Sequence, residues 1–226
     1  IQVQTVKLDD LQCPTPASSH HLAEALCSMP NLTDLTLGRV LNEEFYSALK
    51  AKASSIQVQT VKLDDLQCPT PASSHLLAEA LCSMPNLTDL TLGGVLHEEF
   101  YSALKAKASS IQVQTVKLDD LQCPTPASSH LLAEALCSMP NLTNLTDLTL
   151  GMDLNEEFYS TLKANASSIQ VQTLKIDGFL CFEPASSHRF AEALCSMPNL
   201  TDLKLDGMGP NEEFFSTLTA KASSIQ

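Results

Sequence analysis

The sequence contains no tryptophan and only 7 glycines among its 226 residues. So little glycine excludes a collagen-like chain, and a hydrophobic content of 44% is enough to form a buried core. No apolar run approaches the roughly 18 residues that a membrane span needs, so we expect no membrane partner. Basic residues are also scarce, and the net charge of −13 argues against nucleic acid as a partner.

The start of the chain shows no signal-peptide pattern, and it begins with Ile1 rather than with methionine. A cleaved or truncated start therefore stays open.

A short motif recurs down the chain. Its first copy is Asn31-Leu32-Thr33-Asp34-Leu35-Thr36-Leu37, with the pattern L-x-x-L-x-L. Leu35 and Leu37 are two residues apart, so they point to one face of a strand while Thr36 points to the other. The further copies are Asn86 to Leu92, Asn144 to Leu150 and Asn199 to Leu205. Weaker copies, which begin at Val3, Val58, Val113 and Val171, alternate with these and bring the predicted strands to eight.

The repeat predicts four double-coil units within a single array, at residues 1–55, 56–110, 111–168 and 169–226. Each strand is followed by a helical pattern, and parallel strands joined by right-handed crossover helices stack into a solenoid. We expect a curved horseshoe in which the parallel strands line the concave side and the helices the convex side. Polar caps for the ends of the stack are missing, so the chain is expected to be part of a longer array.

The helix starts are marked by capping residues. Thr15 precedes Pro16 in the first coil, and Asn42 precedes Glu43-Glu44 in the second. Leu22, Ala25, Leu26 and Met29 form an apolar stripe at helical spacing in the first coil. Phe45, Ala48, Leu49 and Ala53 form the corresponding face in the second.

The third unit carries three extra residues, Asn141-Leu142-Thr143. Two strand registers are possible here, but only Leu148-Thr149-Leu150 supplies the L-x-L doublet. The sequence therefore predicts that the extra residues bulge before the strand. The fourth unit has a longer, glycine-rich loop at Asp206-Gly207-Met208-Gly209-Pro210, which indicates a reshaped connection.

The alternating coils with an Ala-rich helix, best seen from His75 to Leu90, resemble leucine-rich repeats of the ribonuclease-inhibitor-like class. More narrowly, they resemble the C-terminal repeat domains of invertebrate NOD-like receptors. The resemblance covers the whole chain, and it implies a surface that binds a ligand or partner. The position that is usually Asn or Cys in this family is apolar here, as in Leu11, Val40, Leu66, Val95 and Leu121.

The chain has eight cysteines, which are four copies of two positions. Copies two coils apart would be about 10 Å from each other, which is too far for a disulfide. We therefore predict eight free thiols and a cytoplasmic protein. A metal site or a catalytic triad could be suspected around Cys13, Ser18-Ser19-His20, Glu24 and Cys27. The usual ligand spacings are absent, and four equal catalytic copies make little sense. We expect no enzyme activity, no cofactor and no metal.

Six Asn-x-Ser/Thr sequons occur, at Asn31, Asn86, Asn141, Asn144, Asn165 and Asn199. Glycosylation would require secretion. The cysteine usage favours the alternative, in which the repeat frame produces these sequons without a role for them.

Strand alternation predicts which side chains lie on the concave face, and these are our candidates for partner binding. A solvated sheet face without a ligand is the alternative interpretation. The candidates in first coils are Thr5, Lys7, Thr60, Lys62, Thr115, Lys117, Thr173 and Lys175. The candidates in second coils are Asp34, Thr36, Asp89, Thr91, Asp147, Thr149, Asp202 and Lys204. The units differ most in the loop after each second strand, where Arg39 is a further candidate because arginine is frequent among binding hot spots.

These observations favour a cytosolic recognition module of a NOD-like innate immune receptor, with a protein or microbial ligand and no nucleic acid or membrane partner. Two alternatives stay open. One is a purely structural or engineered repeat array. The other is a ribonuclease-inhibitor-like protein that binds a basic enzyme.

Overall fold

The computed structural model gives an α/β fold built on one parallel sheet. It describes residues 2–9, 13, 15–38, 41–146, 155–177, 184–206 and 211–222.

The sheet contains nine strands within these ranges, and their order follows the chain: β1-β2-β3-β5-β6-β7-β8-β9, with the short β4 beside β5. Each strand pairs in parallel with the strand of the next coil, as the repeat predicts. The strands are β1 (Thr5–Leu8), β2 (Asp34–Gly38), β3 (Thr60–Asp64), β4 (Leu66–Gln67), β5 (Asp89–Val95), β6 (Thr115–Gln122), β7 (Asn144–Thr146), β8 (Thr173–Asp177) and β9 (Asp202–Asp206).

Eight α-helices connect the strands within the described ranges. They are α1 (Pro16–Cys27), α2 (Glu43–Lys52), α3 (Pro71–Cys82), α4 (Glu98–Lys107), α5 (Pro126–Ser138), α6 (Glu156–Asn165), α7 (Pro184–Cys195) and α8 (Glu212–Ala222). Each helix packs on the helices of the neighbouring coils, and together they form one layer that we call the helix layer.

The predicted caps are confirmed. The side chain of Thr15 accepts a hydrogen bond from the Ser18 N–H at 3.1 Å, and Asn42 Oδ1 accepts one from the Phe45 N–H at 3.2 Å. These bonds satisfy amide groups that a helix start leaves without partners. His97 replaces this asparagine in the second unit and caps no amide with its side chain; instead its own N–H donates to Ser74 Oγ at 3.2 Å.

The core lies between the sheet and the helix layer. Leu35 and Leu37 are both buried and Thr36 is half-buried, which confirms the predicted strand alternation. On the helix side Phe45, Ala48, Leu49 and Ala53 are buried as expected.

The apolar stripe predicted for the first helix is wrong at Ala25, which is exposed. Its copy in the second unit, Ala80, is fully buried. The difference follows from position, because within the described ranges α1 packs on one neighbouring helix, α2, whereas α3 lies between α2 and α4.

The predicted bulge before the strand of the third unit is also wrong. Asn144 pairs directly with Thr115, and Leu145 pairs with Val116, so the strand begins three residues earlier than expected. The connection from helix to strand explains this choice. Leu142 is buried and Asn141 Nδ2 donates to Gln112 Oε1 at 2.9 Å, as Asn86 does to Gln57 in the unit before. The predicted face residues Asp147 and Thr149, and the Leu148-Thr149-Leu150 doublet, lie outside the described residues.

Three of the apolar residues at the usual Asn or Cys position extend the sheet, namely Leu66, Val95 and Leu121. Leu66 is buried and pairs with Gly94, which in turn pairs with Leu121. The chain reaches this second pairing through Asp65 and Asp120, whose φ angles are 49° and 51°. Gly94 has φ 86°, and a Cβ there would lie 2.2 Å from the Leu66 carbonyl oxygen. At these positions the backbone groups are thus paired with neighbouring main chain, where Asn or Cys side chains would usually stand.

Ion pairs connect neighbouring helices across the helix layer. Glu79 on α3 pairs with Lys50 on α2 and with Lys107 on α4, the latter at 3.8 Å. Glu192 on α7 pairs with Lys163 on α6 and with Lys221 on α8, the latter at 2.6 Å. These cross-helix pairs were not predicted from the sequence.

Seven of the eight cysteines lie in the described residues, and all seven are free, as predicted. Cys181 lies outside the described residues. Burial raises the pKa of Cys82 and of Cys137 to about 12, so these thiols are unreactive at neutral pH. None of the helices in the described ranges is long and apolar enough to cross a bilayer.

Candidate functional site

The sheet has one face against the helix layer. No helix of the described residues covers the other face, which we call the open face. The open face carries two rows of side chains, because the parallel register aligns equivalent positions from strand to strand. The first row is Thr5, Asp34, Thr60, Asp89, Thr115, Asn144, Thr173 and Asp202. The second row is Lys7, Thr36, Lys62, Thr91, Lys117, Lys175 and Lys204.

A groove of about 570 Å³ runs across the open face, from β1 to β6. The predicted candidates that line it are Thr5, Lys7, Asp34, Thr36, Thr60, Lys62, Asp89, Thr91, Thr115 and Lys117. Four other candidates, Thr173, Lys175, Asp202 and Lys204, continue the two rows on β8 and β9 beyond the groove. Arg39, the candidate on the loop after β2, lies outside the described residues.

Two residues of the open face were missed. Asp119 lines the groove because β6 continues beyond Leu118 to Gln122. Extending the alternation by two residues from Lys117 would have found it. Asn144 occupies the first row in place of the predicted Asp147, as a consequence of the register in the third unit.

The two aspartates of the first row that line the groove are held in similar ways. Thr33 Oγ1 donates to Asp34 Oδ2 at 2.6 Å, and Thr88 Oγ1 donates to Asp89 Oδ2 at 2.7 Å. Both carboxylates are half-buried. Within the described part of the chain neither forms an ion pair, so each keeps acceptor capacity directed at the groove.

Unlike these aspartates, several lysines of the second row interact with charged groups or other partners within the protein. Lys62 Nζ lies 3.2 Å from Asp64 Oδ2, and Lys204 Nζ lies 3.5 Å from Asp202 Oδ2. Lys117 and Lys175 also have interaction partners. Much of the positive charge of the open face is therefore already engaged within the protein.

A second groove, of about 470 Å³, lies beside the first at the ends of β3, β5 and β6. Asp64, Asp65, Asp119 and Asp120 line it together with Val95, whose side chain is 37% exposed. This edge of the open face is acidic. In the described ranges, no group of three or more His, Cys, Asp or Glu side chains is arranged to hold a metal ion.

The sequons take part in the packing of the coils. Asn86, Asn141 and Asn199 donate their side-chain amides to Gln57, Gln112 and Gln170 at 2.9 to 3.0 Å. Each bond joins one coil to the coil before it. A structural role therefore accounts for three of the six asparagines.

The repeated strand–helix units and the single parallel sheet are those of an α/β repeat protein, and they are consistent with a solenoid of the leucine-rich-repeat type. No family model matches the chain, and no curated protein is similar to it.

Proposed function

We propose that this chain is the recognition module of a cytosolic innate immune receptor of the NOD-like kind, and that it binds a protein or microbial ligand through the open face. The observation that carries the proposal is the groove of about 570 Å³ across five strands, with the oriented carboxylates of Asp34 and Asp89 on its wall. A groove with charged groups that form no internal ion pair can bind a partner without losing such pairs.

The helix layer supports this proposal by contrast. Its central glutamates are engaged with lysines of neighbouring helices, so a partner would have to compete with those pairs. The assignment to the cytosol rests on the free thiols. The assignment to an immune receptor rests on the resemblance of the repeat pattern.

The test compares two double variants with the same change in net charge. Asp34→Lys with Asp89→Lys alters the open face, whereas Glu44→Lys with Glu99→Lys alters exposed positions of α2 and α4. Each variant and the unmodified chain are immobilised, and the proteins that they retain from a cell extract are identified by quantitative mass spectrometry.

We expect the open-face variant to lose at least one protein that the unmodified chain and the helix variant both retain, by more than tenfold. If only the helix variant loses a protein that the unmodified chain retains, the open face is rejected as the binding surface. Identical retention by all three would favour a structural array without a ligand. Circular dichroism confirms beforehand that each variant is folded.

A further inference from the structure

The spacing of the first row defines what kind of partner fits the groove. Adjacent strands of a sheet are about 4.8 Å apart, so Asp34 on β2 and Asp89 on β5, which lie two strands apart, are separated by about 10 Å. The intervening Thr60 is uncharged. The first row therefore presents two carboxylates to the groove at a fixed interval, in a line that crosses the strands.

In the first row, the charges that remain available to a partner in the groove are negative. Asp34 and Asp89 accept hydrogen bonds from threonine hydroxyls and form no ion pair within the described residues. Lys62, which lies between them in the second row, is engaged by Asp64. Together with the net charge of −13, this arrangement favours a cationic partner.

The interval between the two carboxylates indicates which peptide conformation fits the first row. An extended chain in the polyproline II conformation repeats every three residues, or about 9.3 Å. That repeat matches the interval of about 10 Å between Asp34 and Asp89.

We propose that the groove binds an extended basic segment of a partner protein, in the polyproline II conformation, with a lysine or arginine at every third position. This inference rests on the proposed function and names the chemistry of its ligand. One cation pairs with Asp34 and the next pairs with Asp89, while the residues between them pass over Thr60.

The third unit supplies an internal control. Asn144 occupies the next acidic position of the first row, about 10 Å beyond Asp89, and its Nδ2 donates to Thr143 Oγ1 at 3.3 Å. The amide carries no charge, so the acidic row is interrupted after Asp89. Asn144→Asp restores the pattern of the first two units and adds a third carboxylate at the same interval.

The experiment uses two synthetic peptides of equal composition, three lysines and six prolines each. In the first, lysine occupies every third position; in the second, the three lysines are consecutive. Binding to the full chain is measured by isothermal titration calorimetry at low ionic strength. The variants are Asp34→Asn, Asp89→Asn and Asn144→Asp, with Glu44→Gln and Glu99→Gln as controls on the helix layer.

We expect the regularly spaced peptide to bind at least tenfold more tightly than the clustered one. Asp34→Asn and Asp89→Asn should each weaken it about fivefold or more, Asn144→Asp should strengthen it by a similar factor, and the controls should leave it unchanged. Equal binding of the two peptides, or binding that Asp34→Asn and Asp89→Asn leave unchanged, overturns the inference. So does preferential binding of a helical peptide with lysines seven residues apart.

The two proposals fail in different ways. If Asp34→Lys with Asp89→Lys abolishes retention of a cellular partner while neither peptide binds selectively, the open face remains the binding surface and the basic extended ligand is rejected. If the spaced peptide binds through Asp34 and Asp89 but no cellular partner depends on them, the ligand chemistry stands and the receptor function is rejected.

Discussion

The helix layer and the open face are built from the same repeats, but they use their charged residues differently. On the helix layer, Glu79 and Glu192 are each flanked by lysines from two neighbouring helices. On the open face, Asp34 and Asp89 are held by threonine hydroxyls and form no ion pair among the described residues. The comparison indicates that the charges of the helix layer stabilise the stack, whereas the carboxylates of Asp34 and Asp89 remain available for a ligand.

The largest effect separates the two faces of a single strand. Leu90 is 2% exposed and points to the core, whereas its neighbour Thr91 lines the groove. Leu90→Ala should lower the free energy of unfolding by about 2–5 kcal/mol, because it removes buried contacts and leaves a cavity. Thr91→Ala should change it by less than about 0.5 kcal/mol. Urea unfolding measures both, and equal losses would contradict the assignment of the two faces.

The next effect concerns the ion pairs of the helix layer. The lysines at positions 163 and 221 lower the pKa of Glu192 to about 2, from an ordinary value of 4.5. Because the folded pKa is depressed, the stabilisation is fully present above pH 4.5 and is lost as the pH falls towards 2. We expect Glu192→Gln to lower the free energy of unfolding by about 1–2 kcal/mol at pH 7.

Thermal unfolding of the unmodified chain and of Glu192→Gln between pH 2 and 7 checks this prediction. The difference in Tm should be constant above about pH 5 and should vanish near pH 2. A difference that is independent of pH would show that the carboxylate charge does not stabilise the helix layer.

The smallest effect uses a natural difference between units. Glu134 on α5 pairs with Lys105 at 2.8 Å, but the position of Lys107 in the second unit is occupied by Asn165 in the third. Asn165→Lys should restore a second lysine beside Glu134 and raise the free energy of unfolding by about 0.5 kcal/mol. Lys107→Asn, the matched reverse change beside Glu79, should lower it by a similar amount. Urea unfolding should show a higher free energy of unfolding for Asn165→Lys and a lower one for Lys107→Asn. A lower value for both variants contradicts the comparison.

The repeat pattern predicted the alternation of strands and helices because its signals are local. Leu35 and Leu37 mark one face of a strand, and Thr15 and Asn42 mark helix starts, whatever lies around them. The register of the third unit was not predictable in this way. The segment from Asn141 to Leu150 contains two overlapping frames, and the buried Leu142 and the Asn141–Gln112 contact select between them.

The candidate site was predictable to the extent that strand alternation determines it. Ten candidates line the groove, but Asp119 was missed because the strand was expected to end at Leu118. The pairing of charges across the helix layer was not predictable from one helix alone, since Lys50 pairs with Glu79 because their two helices are neighbours. The pair of Lys62 and Asp64 lies within β3 and was missed because the strand was expected to end at Leu63.

The most direct test of the different use of charge on the two faces is the free energy of unfolding of two matched double variants at pH 7 and low salt. Asp34→Asn with Asp89→Asn neutralises two carboxylates of the open face, and Glu79→Gln with Glu192→Gln neutralises two of the helix layer. We expect the open-face variant to lie within about 0.5 kcal/mol per site of the unmodified chain. The helix-layer variant should lose about 2–4 kcal/mol in total. A larger loss for the open-face variant would show that Asp34 and Asp89 serve the fold rather than a ligand.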